Sequence, residues 1–234
     1  MKTKKITALV LALIMLLSLC ACGSLSAAPA TETPTAEVPA ENEVSAAEPE
    51  EITITDMIGR EVTVIPGSYK RVACIGAGAL RMYSYIGDVS LLCGVEDIDN
   101  TTLDERPKMF DSVARPYVLA FGDTFSTLPS CGVGGPNAQA AEAEKILSCN
   151  PDIVISEYED VDKENALQEQ LGVPVVTLKA GPNGVFDDAF KNTMTMLGTI
   201  FCNEEKAEKL VSFIDSEAAE IASRTADIKD EDKP

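Results

Sequence analysis

The spacing of hydrophobic positions divides this chain into segments with different expected structures. Met1–Leu19 carries three lysines and then an apolar run of 14 residues, Ile6–Leu19. That run is too short to span a bilayer and suits the apolar region of a signal peptide. Ser24–Glu51 has seven Glu, four Pro, no aromatic residue and no Lys or Arg. Such a stretch cannot bury enough apolar surface to order itself and reads as an extended tether. Period-two alternation begins at Ile52–Thr55 and returns at Glu61–Ile65 around Asp56-Met-Ile-Gly-Arg60, which predicts a β-hairpin.

From Arg71 onward, short apolar runs alternate with helical patterns. Strands are expected at Arg71–Ile75, Leu91–Val95, Pro151–Ser156 and Pro174–Leu178, with a short strand and a Gly-rich turn within Pro129–Gly135. Helices are expected at Ala79–Ile86, at Ala138–Ser148 behind an Asn137 cap, and at Lys163–Leu171 closed by Gly172. Asn100–Leu128 reads as irregular, with one short helix around Lys108–Val113. Buried strands alternating with helices predict an α/β fold in which a parallel sheet is flanked by helices, preceded by the N-terminal β-hairpin. The chain then turns helical, at Asp187–Phe201 and Glu204–Ala226. In the second of these Ala207, Leu210, Val211, Ile214, Ala218 and Ile221 form one stripe. About 23 residues at 1.5 Å each make a rod of roughly 34 Å, long for a helix covering a small sheet.

Charge narrows the function classes. The chain has 19 Lys and Arg against 38 Asp and Glu, and no His. Without the first 21 residues, which hold Lys2, Lys4 and Lys5, the balance is 16 − 38 = −22. So acidic a surface repels nucleic acid, and a nucleic-acid partner is not expected. The lack of His removes the commonest transition-metal ligand and the commonest general base, arguing against zinc hydrolases and Ser/His triads. No catalytic residue and no metal ligand set is therefore assigned.

Leu19-Cys20-Ala21-Cys22 looks like a bacterial lipobox. Cys22 follows a small residue, whereas Cys20 follows bulky Leu19. Cleavage before Cys22 and a lipid anchor on its sulfur are expected, holding the protein on the outer face of the cell membrane. The alternative is an ordinary secretory signal with two incidental cysteines. Cys74, Cys93, Cys131, Cys149 and Cys202 show no paired metal-ligand spacing; a disulfide among them is compatible with export, but spacing does not choose the pair.

Gly76-Ala-Gly78 follows a strand and opens a helix, and Glu96-Asp97 ends the next strand about 20 residues on, which imitates a dinucleotide fingerprint. The third glycine is replaced by Arg81, and export separates the protein from cytosolic cofactor. An NAD-dependent enzyme is the weaker alternative, and no cofactor is expected.

Several pieces in order resemble the substrate-binding lipoproteins of ABC importers for iron–siderophore complexes, haem and cobalamin. They are Ile54–Thr63, the strand-turn-helix at 71–87, Leu128-Pro-Ser-Cys-Gly-Val-Gly-Gly-Pro-Asn137, Glu144–Ile155 with its Asn150-Pro-Asp-Ile-Val-Ile155, and Leu171-Gly-Val-Pro-Val-Val176. The resemblance implies two α/β lobes joined by a rigid spine helix, with ligand held between them and passed to an ABC permease. It divides the chain into a signal peptide (1–21), an acidic tether (22–51), a ligand-binding lobe (52–184), a helical segment with the spine helix (185–226) and a connection toward a second lobe (227–234). The second lobe is absent from this chain, so a truncated product that binds ligand weakly is expected, with a stand-alone lobe as the alternative.

The resemblance also places ligand contacts on loops at the carboxyl ends of the strands. The residues it implies are Gly78, Ala79, Arg81, Tyr117, Gly134, Gly135, Pro136, Tyr158 and Gly181. Arg81 would pair with a carboxylate or catecholate oxygen, or is an exposed helix Arg held by a local acid. Tyr117 and Tyr158 would stack on a ligand ring, or pack locally. Glu144 matches a surface acid used for permease docking, with Glu142 as the fallback; the competing reading is a solvated helix Glu. The functional expectation is capture of an iron(III)-siderophore-type chelate, with haem, cobalamin or an oxyanion as further candidates. A lipid-anchored protein-interaction module is the alternative from another class.

Overall fold

The computed structural model describes residues 50–135, 138 and 140–228. Cys22, Pro136, the signal peptide, nearly all of the tether and residues 229–234 lie outside the described residues. The strands are β1 (Ile52–Thr55), β2 (Glu61–Val64), β3 (Val72–Ile75), β4 (Leu92–Glu96), β5 (Ser130–Gly132), β6 (Ile153–Ser156) and β7 (Val175–Thr177). The helices are α1 (Ala79–Ile86), α2 (Pro116–Phe125), α3 (Ala143–Ser148), α4 (Val161–Leu171), α5 (Asp188–Phe201) and α6 (Glu204–Thr225).

β1 and β2 form the antiparallel hairpin, with Ile52 opposite Val64 and Thr55 opposite Glu61. The other five strands form one sheet in the order β5-β4-β3-β6-β7, and every neighbouring pair is parallel. Chain order runs outward from β3 to β5, then restarts at β6 on the other side. Successive connections therefore leave β3 and β6 in opposite directions, the arrangement of a doubly wound sheet.

Strand residues alternate between two apolar layers. Val72, Cys74, Ile153, Ile155 and Val176 face a layer built with α1, α5 and α6. Ala73, Ile75, Val154 and Val175 face the other, with Ile146, Leu167 and Leu171 from α3 and α4. Burial on both faces explains why these strands read as continuous apolar runs.

The hairpin closes the β7 edge through a buried ionic clasp. The Asp56 carboxylate accepts from the Arg60 amide at 2.9 Å, from Arg60 Nε at 2.9 Å and from the Thr177 amide at 3.3 Å. Arg60 Nη2 donates in turn to the Val175 carbonyl. This covers polar edge groups that would otherwise be open to pairing.

Three expectations change. The segment Lys108–Val113 is a series of turns, and the helix of this region is α2 instead. It starts at Pro116, whose missing N–H costs nothing at a first helical position. The helix expected from Ala138 begins only at Ala143. Before it, the Ala138 amide donates back to the Gly135 carbonyl at 3.0 Å, and the Glu142 carboxylate accepts from the Val133 amide at 2.6 Å. Local hydrogen bonds thus win over the helix propensity of Ala138–Glu142. α6 is long, as expected, but its buried positions are Ala207 and Ile214, and every residue from Ala219 to Ile228 is exposed.

Candidate functional site

β3 and β6 lie side by side at the point where the strand order reverses, so the loops leaving their carboxyl ends diverge toward opposite faces of the sheet, the place where open α/β sheets generally bind ligands. The Glu157 amide donates to the Ile75 carbonyl at 3.0 Å. Gly76 turns the chain with φ 87°, and a Cβ there would come within 3.2 Å of the Glu157 backbone nitrogen. Gly78, with φ 115°, precedes α1, and no side chain caps that helix. Its Cβ position is 2.7 Å from Glu157 Oε2. The two glycines let a carboxylate and the chain of β6 approach the start of α1 closely.

A second carboxylate enters from β4. The ladder between β4 and β5 shifts register between Val95 and Glu96, and Glu96 Oε1 accepts from the Gly76 amide at 3.1 Å. Its other oxygen sits under Gly134, where a Cβ would be 2.5 Å from Glu96 Oε2. Glu96 is only 5 % exposed. Burial pushes its carboxyl up to about 7; Asp99, Glu142 and Asp97 add to the rise, and the Gly76 amide opposes it. Burial also pushes Glu157 up to about 7, with Glu159 adding and Arg81 opposing. Carboxyls raised this far keep a proton more readily than free glutamate does, so each can accept or donate a hydrogen bond.

The residues expected from the sequence fall into two sets. Gly78, Ala79 and Arg81 sit at the reversal, with Ala79 fully buried. Arg81 is half-buried and, among the described residues, makes no salt bridge. Glu157 is the nearby carboxyl whose ionisation it favours. Gly134 and Gly135 have φ of 70° and 87° and pack on Glu96 and Ile98. These residues come together around Glu96 and Glu157.

Tyr117, Tyr158 and Gly181 are engaged elsewhere. The Tyr117 hydroxyl donates to Asp99 Oδ1 at 2.7 Å, and its ring centroid lies 6.4 Å from that of Phe125. Arg115 holds the same Asp99 oxygen at 2.5 Å. Together they brace the turn Asp97–Asp99 behind Glu96. Tyr158 lines a pocket of about 320 Å³ between α3 and α4, with Ala141, Glu164 and Leu167. Gly181, φ 76°, makes room for Asp187, whose carboxylate caps α5 by accepting from the Ala189 amide at 2.9 Å. Glu144 is exposed in the first turn of α3, whereas Glu142 is spent on Val133 and on Lys145 at 3.0 Å.

Sequence reasoning did not assign Glu96 or Glu157 to the site. The available signal was an acid closing β4 and another just after Ser156 of β6, where nothing local requires a charge. Among the described residues, no group of three or more His, Cys, Asp or Glu is placed to hold a metal ion.

A doubly wound sheet with a crevice at its reversal defines an open α/β binding unit. The sequence model described as periplasmic binding protein matches residues 73–234, well over half of the chain, and the protein belongs to that family. The family is one of extracytoplasmic substrate-binding proteins of ABC importers rather than of enzymes, which disposes of the dinucleotide reading. A search of curated protein sequences finds no match.

Among solved structures the chain resembles the molybdate periplasmic binding protein MolA of Haemophilus influenzae, bound to molybdate. Identity is 17%, TM-score 0.57, and the match covers 77% of this chain and 56% of MolA. A periplasmic solute binding protein of Veillonella parvula matches at 19% identity and TM-score 0.57, over 77% of this chain and 50% of its own. The petrobactin-binding protein YclQ of Bacillus subtilis matches at 18% and 0.56, over 77% and 55%. The chain thus spans about half the length of these structures.

Proposed function

We propose that the protein captures an iron(III)-siderophore-type chelate outside the cytoplasm and delivers it to an ABC permease, held at the membrane by a lipid on Cys22. The observation that carries this reading is the crevice at the β3/β6 reversal. There Arg81, free of salt bridges among the described residues, stands near Glu157, and the same glycine-built turn meets Glu96 through the Gly76 amide. Arg81 suits an anionic chelating oxygen of the ligand. The two raised carboxyls suit its amide, hydroxyl or cationic groups. Glu144, exposed on α3, is the acid for docking on the permease, and α6 is the spine between lobes.

The test is a titration of the 15N-labelled protein with gallium(III) complexes of a trihydroxamate and a tris-catecholate, diamagnetic substitutes for the ferric chelates. Amide shifts are expected at Gly76–Arg81, Gly134, Gly135 and Glu157, with Arg81→Ala weakening the apparent Kd about tenfold. Shifts produced by haem, cobalamin or molybdate and not by either chelate would reassign the ligand. Radiolabelled palmitate incorporation, abolished by Cys22→Ser, tests the anchor.

The alternative of a lipid-anchored interaction module draws on one observation. Phe213 and Ile221 on α6 are 60% and 50% exposed. Capture of a protein partner through that face, without chelate shifts, would favour it.

A further inference from the structure

Five cysteines lie among the described residues, and all are thiols. The sheet sorts them. Cys74 points into the layer of α1, α5 and α6, whereas Cys93, Cys131 and Cys149 share the layer of α3 and α4. Cys202 is exposed at the end of α5, against Gly67.

Cys131, in the middle of β5, and Cys149, just after α3, converge on one point. Between them lies Gly94 of β4, whose missing side chain leaves a hollow that both fill. A Cβ on Gly94 would be 3.2 Å from Cys131 Cβ, 3.1 Å from Cys149 Cβ and 2.6 Å from Cys149 Sγ. Cys149 Sγ also lies 3.6 Å from the carbonyl oxygen of Ser130, the residue bonded to Cys131. The Cys131 thiol is turned toward the Cys74 carbonyl at 3.9 Å. A bond between the two sulfurs would need the Cys131 thiol to turn from the Cys74 carbonyl toward Cys149, over the hollow that Gly94 provides. Both Cβ atoms lie about 3 Å from the same point over Gly94, a neighbourhood from which the roughly 3.5–4.5 Å separation of a disulfide is reached by local movement.

We propose that Cys131 and Cys149 form a disulfide in the exported protein. Each thiol gives up one proton and one electron and an S–S bond forms. The two electrons and two protons pass to the disulfide of an extracytoplasmic thiol oxidase, which becomes a dithiol. Family membership places the protein where such oxidants act. Both thiols are buried, so the exchange takes place while α3 is still docking, and burial then protects the bond. The link closes the loop from β5 to the end of α3. That loop carries Gly134 against Glu96 and Glu142 against Val133. The disulfide thus staples one wall of the crevice to the sheet without touching ligand.

The test is to export the full chain to an oxidising compartment, quench it in acid, alkylate it and map its peptides without reduction. The expected result is a cross-linked Cys131–Cys149 peptide, two hydrogens lighter than its two thiol peptides together, with Cys74, Cys93 and Cys202 alkylated. Reduction should lower the melting temperature by several degrees, and Cys93→Ser should leave the bridge intact. Full alkylation of Cys131 and Cys149 in the natively exported protein overturns the proposal, and so does a bridge that uses Cys93. None of these readouts involves ligand, so they fail or succeed independently of the chelate reading.

Discussion

Two places in this molecule bury carboxylates at a loop beside the sheet, and they treat them in opposite ways. At the β7 edge, Asp56 is answered by a buried arginine and by backbone amides from its own turn and from β7. At the reversal between β3 and β6, Glu96 has one backbone amide, and Glu157 has only the field of Arg81. A buried charge that is fully paired fixes a turn. One left short of partners holds a proton near neutral pH and has unfilled hydrogen-bonding capacity, which is what a binding surface needs. The contrast separates the part of the acidic inventory that builds the fold from the part left short of partners at the proposed ligand site.

The sharpest way to break the comparison is Arg60→Ala. Removing the cation leaves Asp56 buried and unpaired and should cost about 3–5 kcal/mol, read as a shift in the urea midpoint. The amide shifts at the reversal should stay where they are while the protein is folded. A loss below about 1 kcal/mol would mean that the clasp is not what holds the hairpin.

Glu96 should behave with the opposite sign. Its carboxyl is raised from 4.5 to about 7, so the folded state binds a proton more tightly than the unfolded chain does. The resulting stability is fully present below about pH 4.5 and is lost as pH rises through 7. For a group this buried the difference is on the order of 2–3 kcal/mol. Glu157 adds in the same direction, less strongly because it is partly exposed. Below about pH 4 the lowered carboxyls of Asp88 and Glu142 act the other way, since their stabilisation is present above their unfolded values and is lost on acidification. Denaturant melts from pH 4 to 8 should therefore show greatest stability near pH 5, with Glu96→Gln flattening the fall between 5 and 8.

Tyr117→Phe is a smaller cut. It removes the hydroxyl that donates to Asp99 and should cost about 1–2 kcal/mol. Arg115 still holds that carboxylate, so the apparent Kd of a bound chelate should change less than twofold. A tenfold loss would return Tyr117 to the ligand surface.

The fold was readable in the sequence wherever burial was two-sided. Strands such as Val72–Ile75 and Ile153–Ser156 are buried throughout, so apolar runs betray them without any periodicity. α4 carried its own signals: Asp160 caps it and Gly172 ends it at φ 69°. α2 was missed because its apolar residues are partly exposed and give no firm stripe; the Pro116 start signal was the better guide. Half of the site was equally readable. Glycines after a strand and an arginine opening a helix announce a turn that approaches something. Of the partner acids, Glu96 was legible opposite that turn only as part of a dinucleotide-like pattern, and the placement of β6 beside β3 brings Glu157 there from about 80 residues away. Spacing along the chain does not encode such a meeting.

The central claim is that the two carboxyls at the reversal face the ligand, and their titration tests it most directly. With 13C-labelled glutamate, the side-chain carboxyl signals of Glu96 and Glu157 should titrate near 7 in the free protein. A saturating gallium(III) trihydroxamate should move both midpoints down by at least about one unit, because ligand donors replace the protons. Midpoints near 4.5 in the free protein, or midpoints unchanged while the ligand is demonstrably bound, would contradict the account.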